Sequence, residues 1–404
     1  MEFTFSKRAR TLSMALAVIG LLLFVLGYFT AGEHGAEHLG QRLWANLLVC
    51  GFFFFGISLG ALFFYALQYA TETAWTVMVK RVYEGMFAWL PIGSAIILLV
   101  LLGGSLHWHH LYHWMDASLY DPASPNYDVI MDGKRAFLNQ PFFWIRSIAF
   151  IFTFVFAAHW FRKESLRMDK ESGETLVKSH LKNYRRGALF LVFFAVFSSV
   201  LAWDWLMAID AHWFSTLFGW YVFSGMWVSA MITAVIVALY LKSKGYLPQV
   251  NNSHIHDMGK WVFAVSFLWS YLFFSQFMLI WYANIPEEVT WIQTRWEHYQ
   301  VLFWVTFFIN FAIPMVMLIS RDAKRNPRFL IGVGTVIFIG HWLDVFMIVM
   351  PGTMADHWHL GLVEVGMFLA FLGAFVYVTL NRLTKAPLTP VQHPYLEESI
   401  HHSI

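Results

Sequence analysis

His341 and Asp344 stand three residues apart in GHWLDVFMIVMPG (340–352), inside an otherwise apolar run. On a helix that spacing puts both side chains on one face, where they can exchange a proton or share a water. The chemistry open to the pair is proton relay. The structural alternative is a polar clasp, with Asp344 capped by a tryptophan or by Arg146 so that it ties helices together. In either case an acid at the centre of an apolar helix costs about 2.5–3.5 kcal/mol to insert, and such groups normally face a partner or water.

Few other ionisable residues fall inside apolar runs. With a rise of about 1.5 Å per residue, His341 lies near the middle of its run. Asp344, Glu364, Asp204 and Arg146 lie toward one end of theirs, and His159 lies toward the opposite end. Arg146 is placed to pair with an acid. Weaker polar groups can extend a path: Ser266, Ser270, Ser275 and Gln276 in one run, and Thr306 and Asn310 in the next.

Composition identifies the surroundings. Of 404 residues, 58% are hydrophobic and 13% charged, about half the ~25% charged share of a soluble domain. The mean hydropathy is +0.55. Together these place the chain in a membrane. A net charge of +2 gives no reason to expect nucleic acid as a partner. Cys50 is the only cysteine, so a disulfide framework, a thiolate zinc site and an iron–sulfur cluster held by this chain alone are excluded. No run carries two embedded histidines at a spacing suited to b-type haem, and the embedded histidines fall short of a haem–copper oxidase core.

The elements that must position these residues follow from apolar runs of about 20 residues. Ten transmembrane helices are predicted, at 11–30, 43–67, 85–106, 141–161, 188–207, 218–241, 260–282, 299–319, 329–350 and 359–380. Strand-like alternation is absent. The expected fold is an all-α polytopic membrane protein, with residues 1–404 as a single integral domain. Basic residues number 21 in the two tails and alternate loops, against four in the opposite loops. That asymmetry puts both termini in the cytoplasm. A cleaved signal peptide over 1–32, ending near TAG (30–32), is the alternative for the first helix.

The loops are short. HWHHLYHW (107–114) reads as an interfacial belt anchored by Trp108, Tyr112 and Trp114; four histidines within seven residues leave a metal site as the alternative. The basic stretch 162–187 reads as an inner loop lying against anionic lipid head groups. WDWLMAIDAHWF (203–214) and HWLDVFMIVMPGTMADHWH (341–359) echo each other, each with a Trp near an embedded Asp and then an outer His-Trp pair. Four helices separate them, which predicts two four-helix bundles with one flanking helix on each side.

Three stretches carry a family resemblance: WDWLMAIDAHWFSTLFGWYVFSG (203–225), DMGKWVFAVSFLWSYLFFSQFMLIWYANIPEE (257–288) and GHWLDVFMIVMPG (340–352). The chain resembles the NrfD/PsrC-like integral membrane subunits of bacterial alternative complex III, a quinol:cytochrome c (or other acceptor) oxidoreductase. Within that family it is most similar to the smaller of the complex's two such subunits. The resemblance implies two four-helix bundles plus two helices, a multi-pass location in the bacterial cytoplasmic (inner) membrane, and no redox cofactor in this chain. It implies as partners a larger ActC-like homologue, an ActB-like iron–sulfur subunit, c-type cytochrome subunits carrying haem, and a haem–copper oxidase. Menaquinol or ubiquinol would be oxidised in the complex, and the family's usual role for the smaller subunit is a proton path. Direct quinol binding by this chain and a secondary transporter with a midplane site are the alternatives.

The orientation is directly testable. Cysteine at Glu288, in a background without Cys50, is expected to react with impermeant thiol reagents from outside intact cells. Labelling confined to inverted vesicles would reverse the topology.

Overall fold

The computed structural model describes residues 2–30 and 38–403; most of the TAG segment lies outside them. Ten helices are long and apolar enough to cross a membrane: α1 (Lys7–Phe29), α2 (Leu39–Ala70), α3 (Lys80–Ser105), α4 (Gln140–Met168), α5 (Gly173–Trp205), α6 (Leu217–Ser243), α7 (Asn252–Ala283), α8 (Gln300–Met317), α9 (Pro327–Met354) and α10 (Leu362–Leu383). No strand occurs among the described residues. Helices α2–α5 form one four-helix bundle and α6–α9 the second. Helix α2 joins them by packing on α5, α6 and α9, while α10 lies against α2 and the start of α3, and α1 lies outside on α10. The order of elements therefore matches the ten predicted spans and the two bundles.

The centrality of α2 is written in its residues. VCGFFFFGISLGALFFYAL (49–67) is apolar on every side, and a helix of that kind is stable only where every face is covered by protein or lipid. Phe54, Phe55, Ile57 and Leu59 have no exposed surface. Helix α1 is equally apolar yet mostly uncovered, with Leu12, Leu22 and Phe29 on its outer side. It is held by close backbone approach instead. A Cβ on Gly20 would lie 2.2 Å from the Ala370 nitrogen, and one on Gly366 would lie 2.4 Å from the Phe24 nitrogen. Small residues at such a seam let two helices pack where lipid offers no hydrophobic drive between them.

Three helices are interrupted, each near a proline. Helix α3 is a short helix Lys80–Met86, a 3-10 turn Phe87–Trp89 and a longer helix with Pro91 in its first turn. Helix α8 widens into a π-turn over Phe308–Ala312 just before Pro314. In α9, Pro351 sits inside the helix and cannot donate to the carbonyl of Met347. Arg295, on the short helix Pro286–His298, supplies the missing donor: its Nε reaches Met347 O at 3.1 Å and its Nη2 reaches Ile348 O at 3.3 Å.

Two loop expectations are corrected. Residues 162–187 are mostly helix, because α4 continues to Met168 and α5 begins at Gly173. Hydropathy marks only the part of a helix that lies in hydrocarbon, and this stretch contains no proline to stop it. Likewise Tyr112 and Trp114 are buried, and only Trp108 of that trio is exposed; Tyr112 donates to Trp205 O at 2.8 Å beneath the loop.

The α1–α10 seam gives a stability test. Gly366→Leu forces apart backbones already in contact, and overpacking of this kind costs about 1–3 kcal/mol or more. It should lower the thermal midpoint of the purified protein, whereas Gly332→Leu, at an open position on α9, should leave the midpoint nearly unchanged.

Candidate functional site

Among the described residues six carboxylates are buried; Glu164 and Asp257 pair with cations of their own helices, and the other four meet donors from a helix other than their own. Asp344 on α9 accepts hydrogen bonds from the Tyr221 hydroxyl of α6 and, at 2.9 Å, from Trp269 Nε1 of α7. The tryptophan cap expected from the sequence is present; the Arg146 cap is not, because Arg146 belongs to the other bundle. His341 Nδ1 lies 3.9 Å from Asp344 Oδ2, too far for a hydrogen bond. Neither ring nitrogen of His341 has a hydrogen-bond partner, although its side chain is 1% exposed. Trp269 meets the imidazole edge-on at 5.5 Å. Beside the pair is a cavity of about 10 Å³, bordered by Gly225, Ser229, His341 and Asp344, which is close to the room one water needs. Gly225 keeps that space open, since its Cβ would stand 3.4 Å from Asp344 Oδ2.

Asp204 of α5 is paired with Arg146 of α4 through two hydrogen bonds of 2.7 and 2.8 Å. The guanidinium also donates to Phe137 O at 3.2 Å and lies over the Phe137 and Phe142 rings. This is the arginine–acid pair expected from the sequence, and with its bonds filled it reads as a clasp.

Glu364 is even more fully bound. Arg42 Nε and Nη2 donate to it at 2.7 and 2.5 Å, Asn46 Nδ2 at 2.8 Å, and the Gly361 amide at 2.8 Å. The last contact caps the start of α10, where a negative side chain is favoured. Expecting Glu364 to relay protons with His341 and Asp344 is therefore corrected: no hydrogen bond or ion pair links it to them among the described residues. Its donors are Arg42, Asn46 and the Gly361 amide.

The fourth carboxylate, Glu84, was missed by sequence reasoning, which counted it as the end of a basic loop. It has no exposed surface. Arg81 Nη1 donates to it at 2.7 Å, Ser165 at 2.6 Å and Tyr65 at 3.1 Å, and Arg162 is also bound. Arg81 continues to Asp169, whose other oxygen accepts from the Val391 amide in the C-terminal tail at 3.1 Å. A continuous chain of charged groups thus runs from the bundle interior to the face that carries the basic loops. A charged cluster at the spacing Lys80, Arg81, Glu84 was the available signal.

The remaining sequence candidates play local roles. His159 is exposed on α4 and borders a large cavity together with Glu84, Arg162 and Arg382. Ser270 bonds back to Ser266 O at 2.7 Å, and Gln276 accepts from Ser215 at 2.7 Å. Asn310, at the π-turn, donates to Gly340 O at 3.0 Å. The Ser266 and Thr306 hydroxyls are buried without partners, and Ser275 is half-buried. No hydrogen bond among the described residues joins these groups into a path.

Outward from Asp344, Tyr221 is an electrostatic neighbour of Arg295, which in turn interacts with half-buried Asp210. Burial lowers the Arg295 guanidinium to about 10, with Asp210 and Tyr221 pulling upward; at neutral pH it remains a cation. The connection carrying Arg295 also receives both halves of the sequence echo. Trp213 stacks on Trp291 and Trp358 on Tyr299, each at 4.6 Å. In the HWHHLYHW segment, His109 is buried against Val100 O at 2.8 Å and burial lowers its pKa. No group of three or more His, Cys, Asp or Glu side chains is placed to hold a metal ion among the described residues. No protein-family model matches the chain, and no curated protein matches it in sequence.

The clasp role of the Arg146–Asp204 pair is testable. Arg146→Leu strands a buried carboxylate, and breaking a buried pair costs about 3–5 kcal/mol. The double change Arg146→Leu/Asp204→Leu should recover most of that loss in a thermal or denaturant assay. A double variant as unstable as the single one would show that the pair does more than neutralise itself.

Proposed function

We propose that this chain is an NrfD/PsrC-like membrane subunit of the ActF type in a quinol-oxidising respiratory complex of the alternative complex III kind. It lies in a bacterial cytoplasmic membrane with its basic face inside. In this reading it carries no redox cofactor: iron–sulfur clusters and c-type haems belong to partner subunits, as does oxidation of menaquinol or ubiquinol. Its own part is to hold those subunits and to carry protons along a split path.

The observation that carries the reading is the contrast between His341–Asp344 and the three other acids bound across helices. Glu364, Asp204 and Glu84 are each bound by at least one arginine. Asp344 is bound only by neutral donors, beside an imidazole with both nitrogens free and a water-sized space. A proton arriving at His341 forms an imidazolium whose Nδ1–H can close the 3.9 Å gap to Asp344 by a small ring movement. The resulting pair is neutral overall, so the proton is held without leaving an unpaired charge in low dielectric. Tyr221 leads from Asp344 toward the outer connection, where Asp210 lies beside the fixed charge of Arg295. On the opposite side, Glu84, Arg81 and Asp169 lead to the basic face.

Two measurements test this. The tagged protein, solubilised from its native membrane, should co-purify with an iron–sulfur subunit, c-type cytochromes and a second, larger NrfD-like chain; isolation alone would contradict the assignment. Within that complex, Asp344→Asn keeps the shape and some hydrogen bonding but cannot exchange a proton. It should assemble normally and move fewer protons per electron, or turn over more slowly. Unchanged coupling and rate would leave Asp344 as a clasp.

A further inference from the structure

A large cavity, about 780 Å³, lies between α3 and α4 and is unrelated to the His341–Asp344 site. Its polar groups are unevenly placed. Apart from Ser94, they gather at one end, where Glu84, His159, Arg162 and Arg382 meet near the basic face. The rest is apolar wall, and Ile148, Phe152 and Phe156 along it are exposed, so the groove opens sideways to where acyl chains lie. From Arg162 to Ile148 it runs along about 21 Å of helix at 1.5 Å per residue. That is about half of the ~40–45 Å of a bilayer with its head-group layers, the depth of one leaflet.

The polar end carries excess positive charge. Arg81 is shared between Glu84 and Asp169, and Arg162 is tied to Glu84. Arg382 makes no ion pair and lies within electrostatic reach of both Glu84 and Arg162. Three guanidiniums therefore face two carboxylates. The buried Arg162 Nε, on a side chain 4% exposed, and the Arg382 Nε both lack hydrogen-bond partners. A guanidinium left over at the head-group level of a leaflet-deep apolar groove is complementary to one phosphodiester joined to an acyl chain.

We propose that this groove binds an anionic phospholipid of the basic-face leaflet, its phosphate on Arg382 and Arg162 and one acyl chain along α3 and α4. Basic pockets between membrane helices on the cytoplasmic side bind such head groups. The occupant is a lipid rather than a quinone because the binding end offers net positive charge, which a neutral ring does not need. The inference concerns the groove alone and stands or falls independently of the redox assignment.

The test is native mass spectrometry of the delipidated full-length protein, titrated with dioleoyl phosphatidylglycerol, dioleoyl phosphatidylcholine or a short-chain menaquinone. The parent should bind phosphatidylglycerol about tenfold more tightly than phosphatidylcholine. Arg382→Gln should reduce that preference several-fold, Arg382→Lys should retain most of it, and Ala95→Trp, which fills the groove, should abolish specific binding of the lipid. Equal affinity for the two lipids in the parent, or an unchanged preference in Arg382→Gln, would overturn the proposal. So would menaquinone binding that exceeds phosphatidylglycerol binding and is lost in Ala95→Trp.

Discussion

A carboxylate within a bilayer must find its donors inside the protein, and that requirement organises this chain. Asp344, Asp204, Glu364 and Glu84 each draw donors from neighbouring helices. Apolar contacts cannot specify which helices pair, because lipid tails are as good a neighbour as leucine. The buried polar contacts can. Glu364 fixes α10 against α2, Asp204 fixes α5 against α4, and Asp344 gathers α6 and α7 around α9. The same logic applies to a backbone group released by proline, since Arg295 donates to Met347 O, the carbonyl that Pro351 leaves open on α9.

These contacts differ in how much freedom they leave. A carboxylate gripped by a guanidinium in two places is a charge fixed for good, because arginine does not give up its proton. Such a group suits a scaffold. The His341–Asp344 pair has no arginine, and its imidazole sits 3.9 Å from the acid with unfilled nitrogens. The Glu84 cluster is intermediate: it is rich in arginine, yet it continues through Asp169 to the tail at the basic face.

How much of this was legible in sequence depended on whether a property was local. Ten apolar runs sufficed for ten helices and, with the echo between 203–214 and 341–359, for two bundles. Arg146 lay near the end of its run where an acid could pair with it, and Asp204 lay toward the same side of the membrane. Arg42 was not legible as a partner of Glu364, 322 residues away, since it sat just outside a run and looked like a loop charge. Glu84 was hidden for the same reason: hydropathy averages over a window, and Lys80 and Arg81 drew the boundary past it although the helix begins at Lys80. Three-dimensional neutralisation leaves no trace in a one-dimensional average. The separation of Glu364 from His341 was equally invisible, because similar depth along two helices does not make two side chains neighbours.

The central claim is that His341 and Asp344 exchange protons during turnover while Asp204 and Glu364, each gripped in two places by one arginine, do not. The most direct measurement is the infrared difference spectrum of the purified native complex on adding quinol, recorded in H₂O and D₂O. The account predicts a deuterium-sensitive carboxyl band that disappears in Asp344→Asn and an imidazole band that disappears in His341→Phe. A difference spectrum that is identical in the parent and both variants would contradict it.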